Sequence, residues 1–190
     1  MSPSAPRVLV PIADGSEEME FAILVDVLRR GQVAVEVAGL DGPQAVTCSR
    51  GVRIVPDLAL ADAQGPFDWI ALPGGGPGSE RFRNSAALGA LLRAQAAAQR
   101  GLAAICAAPS AFAVHGVGKG VAMTAHPSAQ ELVAAHASWR DDAVVETAGF
   151  ITSRGPGTAF EFAFALLRRL RGDEVCRAVR APMGFDDGAR

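Results

Sequence analysis

The sequence has little excess of charge, few cysteines and few histidines. Its 18 lysines and arginines are balanced by 20 aspartates and glutamates, so the formal net charge is −2. This balance offers no basic surface of the kind that nucleic-acid binding requires. The cysteines Cys48, Cys106 and Cys176 form no C-x-x-C pair, and the three histidines have no H-x-x-H spacing. We therefore predict no disulfide framework, no metal site and no nucleic-acid partner.

Long apolar runs are missing as well. The amino-terminal stretch "MSPSAPRVLVPIADG" contains too short an apolar run for a signal peptide or a membrane span. Together with the odd number and wide spacing of the cysteines, this favours a cytoplasmic protein without membrane contact. The length of 190 residues and the hydrophobic fraction of 49% predict one globular domain over 1–190, with 1–6 and 185–190 as loose tails.

Short apolar strands alternate with helical patterns along the chain. The predicted extended segments are strands at 7–13, 33–40 and 102–108, a strand running into a glycine loop at 67–76, a hairpin at 45–55, and a strand or hairpin at 146–153. The predicted helices are 16–31 with Ser16 as N-cap, 85–101, 128–136, and 158–171 with a capping box of Thr158 and Glu161. This alternation predicts an α/β fold, with a mainly parallel sheet covered by helices on both faces.

Three loops are expected to meet at one edge of this sheet. In open parallel sheets, ligands bind outside the carboxyl ends of the strands, near a switch in strand order. The segments that follow strands at that edge are "ADGSEEME", "PGGGPG" and "CAAPS". Cys106 is therefore expected to lie among them.

Cys106 belongs to "ICAAP", where a strand turns sharply into a helix. Such an elbow projects the sulfur above the sheet, because Ala107 and Ala108 are small and Pro109 begins a helix without needing an N–H. Backbone N–H groups and a helix start lower the pKa of a thiol, and the thiolate is the nucleophile. We predict a reactive cysteine with a lowered pKa; the alternative is a buried small hydrophobic residue.

Glu20 is the acid predicted to work with Cys106. Glu17 and Glu18 suit a solvated first helical turn, whereas Glu20 lies deeper, between apolar neighbours, where a carboxyl is costly to bury. Beside a thiolate it should stay protonated, because two like charges within hydrogen-bond reach do not both ionise cheaply. Glu20 is thus a candidate proton shuttle, and a partly exposed helix glutamate is the alternative.

A glycine loop and one histidine complete the candidate site. "PGGGPG" offers free N–H groups to an oxyanion, although such loops more often only turn the chain. It is not G-x-G-x-x-G and carries no P-loop lysine, so no nucleotide cofactor is predicted. His126 in "TAHPS" precedes a helix and is a candidate base for a Cys–His pair. Cys176 is predicted to be structural, and Cys48 to be a secondary oxidation site.

Six sequence blocks carry a family resemblance. They are, in chain order, "GSEEMEF", "VTCSRGV", "ALPGGGPG", "AAICAAP", "TAHP" and "TSRGPGTAFEFA". Together they resemble the ThiJ/PfpI superfamily, and within it the DJ-one branch. The resemblance implies a flavodoxin-like three-layer sandwich, a homodimer, and an elbow cysteine hydrogen-bonded to a protonated glutamate. It also implies a cofactor-independent enzyme of the glyoxalase III or deglycase type, acting on α-oxoaldehydes or their glycation adducts.

The same resemblance assigns roles to the residues that match family motifs. Cys106 is the implied nucleophile, Glu20 the proton shuttle and His126 a nearby base. The residues implied around the oxyanion and the substrate are Gly74, Gly75, Ala107, Arg50 and Pro156. In the implied reaction, the Cys106 thiolate attacks an aldehyde such as methylglyoxal, Glu20 moves a proton between adjacent carbons, and water releases the hydroxy acid.

Some positions depart from the family pattern, and other classes of protein stay open. Gly76 stands where the branch often has a polar residue, and Val55 where some relatives have a second hairpin cysteine. A redox sensor or chaperone would act through oxidation of Cys106 to sulfinate. A PfpI-type peptidase needs a histidine directly after the elbow cysteine, where this chain has Ala107. An amidotransferase needs a glutamate paired with its histidine and a partner domain.

Overall fold

The structure is a computed structural model and describes residues 5–185. Strands and helices alternate along this part of the chain. The strands are β1 (Arg7–Ile12), β2 (Ala34–Gly39), β3 (Val46–Thr47), β4 (Arg53–Ile54), β5 (Leu58–Ala59), β6 (Trp69–Leu72), β7 (Gly101–Ile105), β8 (Ala122–Met123), β9 (Ser138–Trp139), β10 (Val144–Glu146) and β11 (Phe150–Ser153). The α-helices are α1 (Glu18–Arg30), α2 (Gly76–Asn84), α3 (Ala86–Ala97), α4 (Pro109–Val114), α5 (Gln130–Ala134) and α6 (Ala159–Arg180).

A seven-stranded sheet forms the centre, in the order β10-β11-β7-β6-β1-β2-β5. Its strands are parallel except for the β10–β11 hairpin at one edge. β3 and β4 form the separate antiparallel hairpin predicted at 45–55. β1 and β7 are almost fully buried, which explains why both read as continuous apolar runs rather than alternating ones.

The strand order reverses beside β1, which pairs with β2 on one side and with β6 on the other. Crossovers between parallel strands are right-handed, so connections that run in opposite directions place their helices on opposite faces. α1 connects β1 to β2 and packs against α6, whereas α3 connects β6 to β7. The predicted α/β sandwich is confirmed, and its switch point lies where β1 and β6 end.

The first helix begins later than predicted and has a different cap. α1 starts at Glu18, and the carboxylate of Glu17 accepts the N–H of Glu20 at 2.7 Å. The predicted N-cap, Ser16, is fully buried, and its hydroxyl accepts the N–H of Ala13 at 3.1 Å. The prediction failed because a tertiary contact of the loop after β1 uses the serine oxygen.

Two further helix predictions need correction. Sequence patterns did not reveal α2, because its first turn, Gly76 to Gly78, has poor helix propensity. The helix predicted to close at Gly172 is interrupted there: Gly172 has a non-helical φ of +81° and separates two helical stretches that together make up α6. The Thr158 side chain does not cap this helix; its hydroxyl donates to the carbonyl of Gly155 at 2.9 Å.

The described parts of the predicted tails are packed. The carbonyl of Pro6 accepts the N–H of Ala34 at 2.8 Å. The ring of Phe185 lies 4.8 Å from that of Phe160 and 5.0 Å from that of Phe164, between centroids. Residues 1–4 and 186–190 lie outside the described residues. Between residues 5 and 185, no helix combines the length and the apolar character needed to cross a membrane.

The strand that leads to Cys106 starts at a glycine whose lack of a side chain matters. A Cβ at Gly101 would lie 2.1 Å from the indole carbons of Trp69 on the neighbouring strand. We expect Gly101→Ala to lower the free energy of unfolding by about 1–3 kcal/mol, the usual cost of overpacking. Gly149→Ala is the matched control, because a Cβ there meets nothing within 4 Å. Equal denaturant midpoints for the two variants would contradict this packing account.

Candidate active site

Cys106 sits at the elbow between β7 and α4 with φ +62°. A residue with a side chain rarely adopts this left-handed conformation, which costs about 1–3 kcal/mol unless neighbours hold it. Two hydrogen bonds do so here. The N–H of Cys106 donates to the carbonyl of Ser153 at 2.9 Å, and its carbonyl accepts the N–H of His126 at 2.8 Å. The sharp turn predicted from "ICAAP" is therefore present.

Glu20 lies in the first turn of α1 and is only 1% exposed. Its Oε2 atom accepts the N–H of Gly74 at 2.8 Å. Its Oε1 atom is buried without a partner of hydrogen-bond geometry among residues 5–185. The Cys106 thiol nevertheless lies close enough for the two groups to alter each other's pKa. Glu20 is therefore the buried acid that the sequence predicts, and the exposed alternative is wrong.

Glycine at positions 74 and 75 brings the loop after β6 onto this pair. A Cβ at Gly74 would lie 2.5 Å from the Cβ of Cys106 and 2.6 Å from Oε2 of Glu20. Gly75 has φ +91°, and a Cβ there would lie 2.2 Å from the carbonyl oxygen of Gly15. The backbone N–H groups of Gly75 and Ala107 both act to lower the pKa of the Cys106 thiol. The sulfur thus has two donors beside it, as an oxyanion site requires.

The pKa values of the acid and the thiol follow from their burial. Burial, opposed by the Gly74 N–H and aided by the charge of Glu17, raises the pKa of Glu20 to about 7. Burial and the Glu20 carboxylate, opposed by the N–H groups of Gly75 and Ala107, raise the pKa of Cys106 to about 12. The predicted lowering of the thiol pKa is therefore wrong: the elbow donors are present, but burial and the adjacent acid outweigh them.

The two groups have to be considered as a pair. Once Glu20 takes up a proton, the negative charge that raises the pKa of Cys106 is gone. Transfer of the thiol proton to Glu20 therefore produces a thiolate without placing two negative charges side by side. An acid with a pKa of about 7 is well matched to such a transfer at neutral pH.

His126 reaches the site through its main chain rather than its imidazole. Its N–H fixes the carbonyl of Cys106, and therefore the peptide plane that carries the Ala107 N–H. The exposed ring accepts the N–H of Ser128 on Nδ1 at 3.2 Å. Among the described residues, no hydrogen bond joins the ring to Cys106. The structure does not show the Cys–His pair.

The remaining predicted residues lie at the edge of the site. Pro156 is half-buried and begins a short 3₁₀ turn after β11, the strand whose Ser153 holds the elbow. Arg50 is exposed in the turn of the β3–β4 hairpin, and its guanidinium donates to the carbonyl of Ser49 at 3.1 Å. Within this single chain, Arg50 contacts neither Cys106 nor Glu20.

Glu18 is a buried acid that the sequence interpretation assigned to solvent. Its carboxylate accepts the Ser49 hydroxyl at 2.8 Å and the Arg50 N–H at 2.7 Å. Burial opposes the effect, but these hydrogen bonds and those from the backbone of Glu18 and Val52 lower the pKa of Glu18. Glu18 therefore ties the hairpin to the helix that carries Glu20. No motif pointed to it, because its partners are distant in sequence.

The other two cysteines are buried and lack the environment of Cys106. Burial raises the pKa of Cys48 to about 11, and Glu18, Glu17 and Asp14 raise it further. A secondary oxidation site at Cys48 therefore stays a prediction. The thiol of Cys176 donates to the carbonyl of Phe164 at 3.6 Å, which suits the predicted structural role.

An open, mainly parallel sheet with a cysteine elbow at its switch point, facing a buried acid, defines a flavodoxin-like α/β protein. The sequence matches the family model described as DJ-1/PfpI over residues 6–169. The chain belongs to the DJ-1/PfpI family.

Individual relatives cover almost the whole chain. It is 45% identical to the Parkinson disease protein 7 homolog of Danio rerio, over 95% of this chain and 98% of that protein. It is 37% identical to the glutathione-independent glyoxalase DJR-1.2 of Caenorhabditis elegans, over 93% and 94%. The crystal structure of Drosophila melanogaster DJ-1beta superimposes with a TM-score of 0.93 at 46% identity, covering 95% of this chain and 98% of that one.

The raised pKa of Glu20 predicts how stability depends on pH. Folded Glu20 holds its proton up to about pH 7, whereas the unfolded group releases it near 4.5. Between these values the folded state binds more protons, so this group destabilises the fold as pH rises, by about 3 kcal/mol in all. We expect the free energy of unfolding of Glu20→Gln, relative to that of the wild type, to increase as the pH rises from 5 to 8. The measurement is guanidinium unfolding at each pH.

The matched control for this experiment is Glu18→Gln. Because the pKa of folded Glu18 is lowered, its carboxylate stabilises the fold above the unfolded pKa, and this contribution is lost as pH falls. The stability difference between wild type and Glu18→Gln should therefore stay constant between pH 5 and 8 and change in the opposite sense only below about pH 4.5. A Glu20→Gln curve parallel to the wild-type curve would show that Glu20 has no raised pKa.

Proposed function

We propose that this protein is a cofactor-independent glyoxalase, which converts small α-oxoaldehydes such as methylglyoxal to 2-hydroxy acids through Cys106. One observation carries the proposal: the thiol at the elbow faces a buried carboxyl with a pKa of about 7, between two backbone N–H donors. This arrangement combines a nucleophile, a proton acceptor and an oxyanion site. The relative from Caenorhabditis elegans that is named a glutathione-independent glyoxalase supports the same class of reaction.

The first step is addition of the thiol to the aldehyde. Sγ of Cys106 forms a bond to the aldehyde carbon while the Glu20 carboxylate takes up the thiol proton. The developing oxyanion lies by the N–H groups of Gly75 and Ala107, the donors that lower the pKa of the thiol in the resting protein. Protonation of Glu20 removes the charge that would oppose the anion. Glu20 then returns its proton to this oxygen, which gives a neutral hemithioacetal and restores the Glu20 carboxylate for the next step.

The next step moves hydrogen between the two carbons of the adduct. Glu20 takes the proton from the former aldehyde carbon and returns it to the former ketone carbon, through an enediol. The first carbon is thereby oxidised to a thioester and the second is reduced to an alcohol, so no external oxidant or reductant is needed. Water then hydrolyses the thioester, releasing the hydroxy acid and the Cys106 thiol.

Glycation adducts are a second substrate class for the same site. In an aminocarbinol formed from an α-oxoaldehyde and an amine, Sγ takes the place of the amine at the former aldehyde carbon, the amine leaves with the thiol proton, and the same hemithioacetal forms. Cys106 is 9% exposed, which allows a small group to contact it and restricts access for a bulky one. Free aldehydes and small adducts therefore fit the site better than large folded proteins do.

Redox sensing is a second candidate function, and the same donors favour it. Oxidation of Cys106 to sulfinate would place new oxygens beside the Gly75 and Ala107 N–H groups, and a protonated Glu20 would donate a further hydrogen bond. A PfpI-type peptidase is disfavoured, because Ala107 occupies the position where that class needs histidine.

We also propose that two copies of the chain associate through α1 and the β3–β4 hairpin. Large apolar side chains are exposed there: Met19 is 54% exposed, Val52 51% and Val55 73%. Hydrogen bonds to Glu18 hold the hairpin against α1, so these three side chains keep fixed positions relative to one another and form one surface. Exposed apolar groups of this kind mark interfaces, and two-fold dimers are the commonest oligomers. Arg50 in the same turn would then lie near the partner's site.

The catalytic proposal predicts a large effect of a small change. Glu20→Gln keeps the size of the side chain but removes the transferable proton. Turnover of methylglyoxal should fall by roughly two to four orders of magnitude, the range typical of general acid–base catalysis. Cys106→Ser should abolish it, and Cys48→Ser should leave it near the wild-type value. The measurement is lactate formation by the purified proteins, compared at equal concentration.

Peroxide titration in parallel separates the enzyme from the sensor. Wild-type turnover that survives Glu20→Gln would refute the proton-transfer role. Negligible wild-type turnover, together with a ready gain of two oxygens at Cys106 measured by mass spectrometry, would refute the glyoxalase proposal and favour the sensor.

The dimer proposal predicts that a charge on the hairpin surface prevents association. We expect Val52→Asp to shift the protein from dimer to monomer in sedimentation velocity at micromolar concentration, because burying an unpaired carboxylate in an interface is costly. Leu132→Asp is the control, because Leu132 is also exposed, at 41%, but lies on α5. A wild-type monomer, or equal effects of the two changes, would argue against this interface.

A further inference from the structure

Ser110, one residue into α4, is completely buried and contacts the elbow directly. Its hydroxyl donates to the carbonyl of Ala107 at 2.5 Å, and its own N–H donates to the same carbonyl at 3.2 Å. The peptide plane after Ala107 is therefore held by two donors. The preceding plane, which carries the Ala107 N–H, is held through the Cys106 carbonyl by the N–H of His126.

Arg83 links this elbow to α2. It lies near the end of α2, the helix that begins directly after Gly75, and its Nη1 donates to the Ser110 hydroxyl at 3.0 Å. A second bond joins the same two helices, because the imidazole of His115 donates from Nε2 to the carbonyl of Phe82 at 2.9 Å. α2 and α4 are thus tied together through the last turn of α2.

We propose that Arg83 and Ser110 are positioning residues, which hold the N–H groups of Gly75 and Ala107 at a fixed spacing on either side of the Cys106 sulfur. Their expected effect on turnover rests on the proposed glyoxalase function. Their expected effect on the thiol does not, because it concerns the resting site alone.

The chemistry of the three groups fits this role. A serine hydroxyl has one proton, which goes to Ala107, and lone pairs that accept from Arg83. The charge on Arg83 strengthens its hydrogen bond to the Ser110 hydroxyl. That bond polarises the hydroxyl, which in turn donates more strongly to the Ala107 carbonyl. The contact therefore opposes relaxation of the strained φ at Cys106. Small displacements at such a site are costly for catalysis, because alignment of the reacting groups depends on them.

The experiment uses four variants of the full chain. Ser110→Ala removes both bonds, Ser110→Thr retains the hydroxyl, and Arg83→Met removes the charged donor but keeps a stem of similar length. Arg81→Met is the matched control, since Arg81 lies on the same helix and pairs with Asp41 on the surface, away from the elbow. Each variant is assayed for kcat and KM with methylglyoxal and for the rate of Cys106 alkylation by iodoacetamide against pH.

We expect Ser110→Ala to lower kcat about tenfold with KM nearly unchanged, less than the ~10²-fold that complete loss of an oxyanion donor costs. Arg83→Met should give a smaller decrease, and Ser110→Thr should recover most of the loss. The alkylation profile of Ser110→Ala and Arg83→Met should move to higher pH, because the two N–H groups lower the pKa of Cys106. Arg81→Met should match the wild type in both assays.

Unchanged alkylation profiles in Ser110→Ala and Arg83→Met would overturn the inference, even if their thermal stability fell. If Ser110→Ala does not fold, Arg83→Met decides, since its side chain is only half-buried. If the wild type lacks turnover, the glyoxalase proposal fails while the alkylation profiles still test the positioning role. An Arg81→Met profile that shifts as far as that of Arg83→Met would likewise overturn it.

Discussion

The buried carboxyl of Glu20 faces the Cys106 thiol across a space that exists only because residue 74 has no side chain. Oε2 of Glu20 is fixed by the Gly74 N–H at 2.8 Å, and a Cβ at that glycine would lie 2.5 Å from the Cβ of Cys106. Burial raises the pKa of both groups. The pair is therefore more stable with a proton between the two groups than with two negative charges, and the proposed reaction of Cys106 depends on this property.

The rest of the fold serves to bring these groups together. Glu20 comes from the helix after β1, Gly74 from the loop after β6 and Cys106 from the end of β7. The three strands are neighbours at the centre of the sheet. The strand order reverses beside β1, so the crossing helices leave this edge open. The site therefore depends on strand order, while the chain segments that form it are far apart in sequence.

The site also costs stability, and its surroundings offset that cost. Cys106 is held at φ +62° and Glu20 is buried with one oxygen lacking a partner of hydrogen-bond geometry in the described chain. Each feature alone destabilises a fold. Hydrogen bonds with Ser153, His126 and Ser110 hold the elbow, so Cys106 keeps its strained backbone conformation. The same network links the elbow to α2 through Arg83.

Sequence patterns alone predicted the alternation of strands and helices, the elbow at Cys106 and the raised pKa of Glu20. These follow from local rules: apolar periodicity, small residues before a proline, and the cost of an acid among apolar neighbours. Tertiary structure decided the rest. It gave Ser16 a role in its own loop, buried Glu18 under the hairpin turn, turned the His126 ring towards Ser128 and joined Arg83 to Ser110. It also reversed the predicted shift of the thiol pKa, because burial and the nearness of a charge depend on residues from other strands, which no local pattern records.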